Sequence, residues 1–165
     1  MISNETTKLV RELQKNINLY TVVKLGVDET IPFLCDRFDS ILIYESRHDS
    51  VDKIEEELWT QGIYHDNMEI RGYSSLDDIQ EDFVVSNLAF DLAICSGPYK
   101  DRYMFCDYVM KSETKYLIME DYQFSPVIGY GTIPNGNGWY SRVFDDLGEG
   151  TVKLFYRDEV QMLEI

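Results

Sequence analysis

Basic residues are scarce in this chain: 15 Lys and Arg stand against 30 Asp and Glu, a net charge of -15 over 165 residues. Nucleic-acid affinity rests largely on basic side chains releasing counterions from phosphates, so no broad nucleic-acid surface is expected. Cysteine is scarce too. Cys35, Cys95 and Cys106 lack CxxC spacing and lie in largely apolar stretches, which predicts buried, reduced thiols rather than a disulfide framework. The 2 histidines, His48 and His65, have no ligand-spaced Cys or His beside them, so no metal site is expected. No apolar run approaches the roughly 18 residues of a membrane span and no apolar leader opens the chain, so a soluble, cytoplasmic protein is expected. The Gly-x-Ser-x-Gly elbow, the P-loop and the two-histidine zinc helix are all missing, which removes the common hydrolase, nucleotide-triphosphatase and zincin classes. A dinucleotide fingerprint begun at Gly26 would need glycines where Asp28 and Ile31 stand.

What is present is a core. Hydrophobic residues make up 44% of the chain and aromatics 13%, enough for one globular domain over residues 1–165. Leu9, Val10, Leu13 and Ile17 recur at helical spacing behind a cap at Ser3 or Asn4. Tyr20–Leu25 and Ser40–Tyr44 are short β-branched runs of the kind that form buried parallel strands. Between them Gly26 allows a tight turn, and Thr30 can cap a short helix that begins near Pro32.

Further on, a helix capped at Asp49 or Ser50 buries Val51, Ile54 and Leu58 and ends at Gly62. Met68–Arg71 is a third strand, and Ser75 to about Val85 a helix. Phe90–Cys95 is a fourth strand, closed by Ser96-Gly97-Pro98, and Asp101–Lys111 the next helix. Lys115–Met119 is a fifth strand, ending at Glu120 and Asp121. Alternation of strands and helices predicts a parallel sheet with right-handed crossovers. Ser125 to Gly138, with two prolines and four glycines, reads as a long functional loop, and Tyr122, Phe124, Tyr130 and Trp139 bracket it as a candidate aromatic lid. Trp139–Phe144 and Thr151–Tyr156 then form an antiparallel hairpin.

This order of elements resembles the class I, S-adenosylmethionine-dependent methyltransferases. The resemblance implies an α/β fold, a Rossmann-like three-layer α/β/α sandwich with a mostly parallel sheet ending in a C-terminal antiparallel β-hairpin. In that family the first strand leads into a loop with an acid followed by glycines at alternate positions. Lys24, Gly26, Asp28 and Thr30 stand at those positions here, and Gly26 alone matches. Glu45, closing Ile41-Leu42-Ile43-Tyr44-Glu45, falls where an acid accepts hydrogen bonds from the cofactor's ribose hydroxyls; the alternative is a solvated strand-end acid. Ser96, before Gly97-Pro98, occupies the place of an Asp in the family's Asp-Gly-Pro.

The resemblance implies S-adenosylmethionine as cofactor, with Gly26, Asp28, Glu45 and Ser96 around it. Pro98, Tyr99 and Arg102 would then meet a small-molecule or protein acceptor. No catalytic residue stands out. Glu120 and Asp121 share the same strand edge, and His48 lies close enough to Glu45 to stack on an adenine or simply face water. The alternative reading is an inactive methyltransferase fold that works through an acidic protein-binding surface. The aromatic tail reads as core packing against a helix, with a subunit interface, and so a homo-oligomer, as the other possibility.

Overall fold

The computed structural model describes residues 4–63, 66–120, 138–147 and 150–157. The expected lid residues Tyr122, Phe124 and Tyr130, together with Ser3, His65 and Asp121, lie outside them.

Helix α1 (Glu5–Asn16) starts at an Asn4 capping box, in which the Asn4 side chain accepts the Thr7 N–H. It precedes strand β1 (Thr21–Leu25), short helix α2 (Ile31–Arg37), strand β2 (Ser40–Glu45), helix α3 (Val51–Thr60) and strand β3 (Met68–Gly72). Then come helix α4 (Leu76–Gln80), strand β4 (Leu92–Cys95), helix α5 (Tyr99–Lys111) and strand β5 (Tyr116–Glu120). Strands β6 (Trp139–Phe144) and β7 (Val152–Arg157) form the closing hairpin.

The sheet order is β3-β2-β1-β4-β5-β7-β6, with the first five strands parallel and β7 antiparallel to both its neighbours. Alternation along the strands divides the core in two. Val22, Ile41, Ile43, Ile94 and Ile118 pack under α1, α2 and α3 with Leu9, Leu13, Phe33, Leu34 and Ile54. Val23, Leu25, Leu42, Tyr44, Ala93 and Leu117 pack on the other face with Ile79, Phe83, Phe105 and Val109. This is the expected three-layer sandwich. The expected aromatic packing of the tail holds for Trp139, which is buried and donates its indole N–H to the Met110 carbonyl of α5. Tyr140 instead stands exposed, stacked on Tyr156.

Two expectations shift in detail. The helix expected from Ser75 to Val85 is α-helical only as far as Gln80 and continues as a π turn over Glu81–Val85. That turn aims Asp82 at the Tyr44 hydroxyl and the Arg71 guanidinium, 2.6 and 2.8 Å away. Thr30 stands at the head of α2 but makes no side-chain cap; its hydroxyl is drawn to Asp28 instead.

Because β1 lies between β2 and β4, chain connections leave it in opposite directions, and a crevice opens at the carboxyl ends of β1 and β4. Here two backbones nearly touch. A Cβ on Gly26 (φ +92°) would lie 2.8 Å from Gly97 Cα, and one on Gly97 (φ +77°) would lie 3.1 Å from the Leu25 carbonyl oxygen. Gly26 has no room for a side chain, Gly97 has little, and both conformations favour glycine. Gly26→Ala should therefore lower unfolding stability by roughly 2–4 kcal/mol, read from the urea midpoint. A change below about 0.5 kcal/mol would show that the crossing relaxes freely.

Candidate functional site

Lys24 points from β1 into the base of the crevice and is 0% exposed. A buried ammonium requires acceptors, and it has two: Asp28 Oδ2 at 2.8 Å and the Ser96 hydroxyl oxygen, in very close contact. Ser96 Oγ in turn donates to the Leu25 carbonyl at 2.6 Å, tying the end of β4 to the end of β1. Asp28 Oδ1 accepts both the Thr30 N–H (2.9 Å) and the Thr30 hydroxyl (2.5 Å). Burial by itself would raise the Asp28 carboxyl, but the Lys24 ammonium and the Thr30 donors outweigh it and hold Asp28 below its ordinary value. Gly26, Asp28 and Ser96 thus do come together, around a lysine.

Glu45 closes β2 across the same crevice, its side chain only 4% exposed. Its Oε1 accepts the Val27 N–H (3.3 Å) and Arg47 Nη2 (3.0 Å), while Oε2 accepts Arg47 N (2.8 Å) and Nε (3.0 Å). Burial would raise this carboxyl as well; the Arg47 fork and the two backbone N–H groups win and hold it low. Arg47 was not singled out from the sequence. The available signal is its spacing, since an arginine two residues beyond a strand-end acid can fold back across a turn. Its side chain is 61% exposed, so it covers the carboxylate from the solvent side. With Arg47 turned outward, Glu45 presents two ionised oxygens, the acceptor pair that a vicinal diol needs.

On the far side of the crevice, β5 delivers Glu120, whose Oε1 accepts the Thr6 hydroxyl of α1 at 2.6 Å. Burial raises the Glu120 carboxyl, and Lys24 and Thr6 offset this only in part. Thr6 could not be paired with Glu120 from sequence, because 114 residues separate them. Arg102 lies in the first turns of α5, buried, donating to the Gly97 carbonyl and to the Glu120 carbonyl, each at 3.0 Å. It braces the ends of β4 and β5. Pro98 is the N-cap of α5 and Tyr99 its first residue, so both sit at the crevice mouth. His48 lies in a short turn beyond Glu45 and faces Asp49 Oδ1 at 3.1 Å.

Solved structures of methyltransferases have this architecture. An O-methyltransferase from Bacillus cereus, solved with SAH, superposes with a TM-score of 0.68 at 12% identity, over 95% of this chain and 83% of that one. The O-methyltransferase TomG from Streptomyces achromogenes, involved in tomaymycin synthesis and solved with SAM, gives 0.66 at 13%, over 95% and 81%. An rRNA methylase from Streptococcus thermophilus gives 0.60 at 12%, over 95% and 98%. At such identities the likeness establishes the fold, and the chain has the class I methyltransferase fold. No protein-family profile and no curated protein matches the sequence.

The three acids titrate in opposite senses. Asp28 and Glu45, held low in the fold, add stability above their unfolded values near pH 4, lost as pH falls through the folded ones. Glu120, raised in the fold, favours folding below its unfolded value, and that contribution is lost as pH rises through the folded one. Glu120→Gln, which keeps an acceptor for Thr6, should raise the melting temperature at pH 7 and leave it unchanged near pH 4. An equal shift at both pH values would mean that Glu120 charge is not the cause.

Proposed function

We propose that the protein binds S-adenosylmethionine in the crevice between β1, β2 and β4 and transfers its methyl group to an acceptor at the mouth formed around Pro98 and Tyr99. The observation that carries this reading is Glu45, an almost fully enclosed carboxylate at the carboxyl end of β2, linked through the Val27 N–H to the Gly26 turn. The solved relatives of this fold that hold SAM or SAH support it.

The residues fit the cofactor on a condition. Gly26 and Gly97 leave bare backbone at the crevice base, and Glu45 supplies the acceptors for a ribose diol once Arg47 turns outward. The Arg47 side chain is 61% exposed and free to swing toward solvent, and the ribose hydroxyls would then replace its hydrogen bonds to the enclosed carboxylate. Ser96 serves the site indirectly, by holding Lys24 and the β1 carbonyl. When bound, the cofactor supplies a methyl group activated on a sulfonium. The protein's part is alignment: Arg102 fixes the ends of β4 and β5 against which the acceptor rests, and proximity provides most of the rate. The acceptor is a small molecule or a protein.

A second reading has its own support. Lys24, Asp28 and Ser96 satisfy one another and Arg47 caps Glu45, which is how a retired cofactor site would look. The fold would then act by binding a protein partner through its acidic surface. Thermal melts with S-adenosylhomocysteine separate the two. A saturating ligand at about 100 times Kd adds roughly 2.7 kcal/mol, a shift of several degrees, to the wild type. Glu45→Ala should abolish that shift, and Arg47→Ala should tighten binding several-fold by uncovering the carboxylate. No shift in folded wild type at millimolar ligand favours the second reading.

A further inference from the structure

We propose that two copies of this chain join edge to edge through β6, each strand pairing antiparallel with its counterpart about a two-fold axis at Ser141; this holds whatever the crevice binds. β6 closes one end of the sheet, and among the described residues no strand lies beyond it. An open edge strand offers a row of backbone N–H and C=O groups to a second chain, and proteins defend such edges with charge, proline or a bulge. The opposite edge is defended: β3 carries Glu69 and Arg71 in a 2.7 Å ion pair. β6 is not. Its pairing with β7 runs unbroken from Trp139↔Arg157 to Phe144↔Val152, it has no proline, and Arg142 is its single charge. Tyr140 and Val143 stand 52% and 41% exposed along it.

Symmetry narrows the register. Phe144 lies in the core under α1, α2 and α3 and Trp139 in the core on the other face, so Tyr140, Arg142 and Phe144 share one face and Trp139, Ser141 and Val143 the other. A two-fold axis perpendicular to the sheet brings like faces together, so it has to pass where a residue meets its own copy. An axis at Tyr140 or Val143 overlaps only three residues of each strand. An axis at Arg142 overlaps five but sets two guanidinium groups against each other, which is destabilising. An axis at Ser141 also overlaps five, with a small side chain at the centre. It places Tyr140 opposite Arg142 of the second copy and Arg142 opposite that copy's Tyr140, so a cation–π contact forms twice. Both side chains are already held on this face: Arg142 lies 4.8 Å from the Phe144 ring centroid, and Tyr140 is stacked on Tyr156 at 5.9 Å.

The test measures self-association of the intact chain by sedimentation equilibrium and maps the seam by cysteine cross-linking. Wild type should dimerise at or below about 100 µM. Tyr140→Ala and Arg142→Ala should each weaken the dimer about tenfold, and the exchange of the two, Tyr140→Arg with Arg142→Tyr, should restore it because each still faces the other. Under mild oxidation by diamide, Ser141→Cys should link two chains, since facing residues of an antiparallel pair have Cβ atoms about 4.5–5.5 Å apart. Val143→Cys should not, being about 14 Å along the strand from its own copy. The native cysteines are buried and do not compete. A wild type that stays monomeric at that concentration overturns the proposal. So does a dimer in which Ser141→Cys links no faster than Val143→Cys. Wild type and the two cysteine variants decide the matter even if the exchange does not fold.

Discussion

An ammonium group with no access to water has to be met by acceptors, and Lys24 imposes that demand at the head of the central strand. Leaving it unmet would cost several kcal/mol, a large part of the stability of a domain this size. The loop after β1 is shaped by the answer. Asp28 turns inward to the lysine, Thr30 gives up its capping role to hold Asp28, and Ser96 joins from β4 while bonding the Leu25 carbonyl. The glycine crossing completes the joint, because only bare backbone lets β1 and β4 approach closely enough for the lysine to be shared.

The two walls of the crevice are built differently. On the β2 side the acid is enclosed but guarded by a mobile-length side chain, Arg47, whose removal leaves Glu45 with its backbone donors. On the β4 and β5 side the polar groups are internal braces: Arg102 to two carbonyls, Thr6 to Glu120. The first wall can exchange the Arg47 donors for those of a ligand. The second holds its form, and a reaction that depends on alignment needs that kind of rigidity next to a replaceable contact.

Strand and helix order, the parallel sheet and the closing hairpin were legible because hydrophobic runs of period two and stripes of helical period recur in alternation. The positions of Gly26, Glu45 and Ser96 on one sheet edge followed from the same order. What sequence could not supply was the pairing of charges across the fold. Lys24 and Asp28 read as substitutions in a glycine loop that could pair with each other, and they do; the part of Ser96 and Thr30 in holding that pair did not show. Arg47 and Thr6 escaped notice because their partners depend on a turn and on a contact 114 residues away. The π turn after α4 was hidden for a related reason: the periodicity of Leu76, Ile79 and Phe83 fits an uninterrupted helix, while the pull of Tyr44 and Arg71 on Asp82 comes from other strands.

Strand β7 lies between β5 and β6, although β6 precedes it in the chain. During synthesis, β6 therefore has no place to dock until β7 has emerged and found β5. Glu5 of α1 then accepts the Gly150 N–H at 2.7 Å, so the helix before β1 is fastened to the turn that leads into β7. The parallel half of the sheet can gather before the hairpin is made. The outer edge of β5, and with it the strand that carries Glu120, is covered only when the hairpin docks.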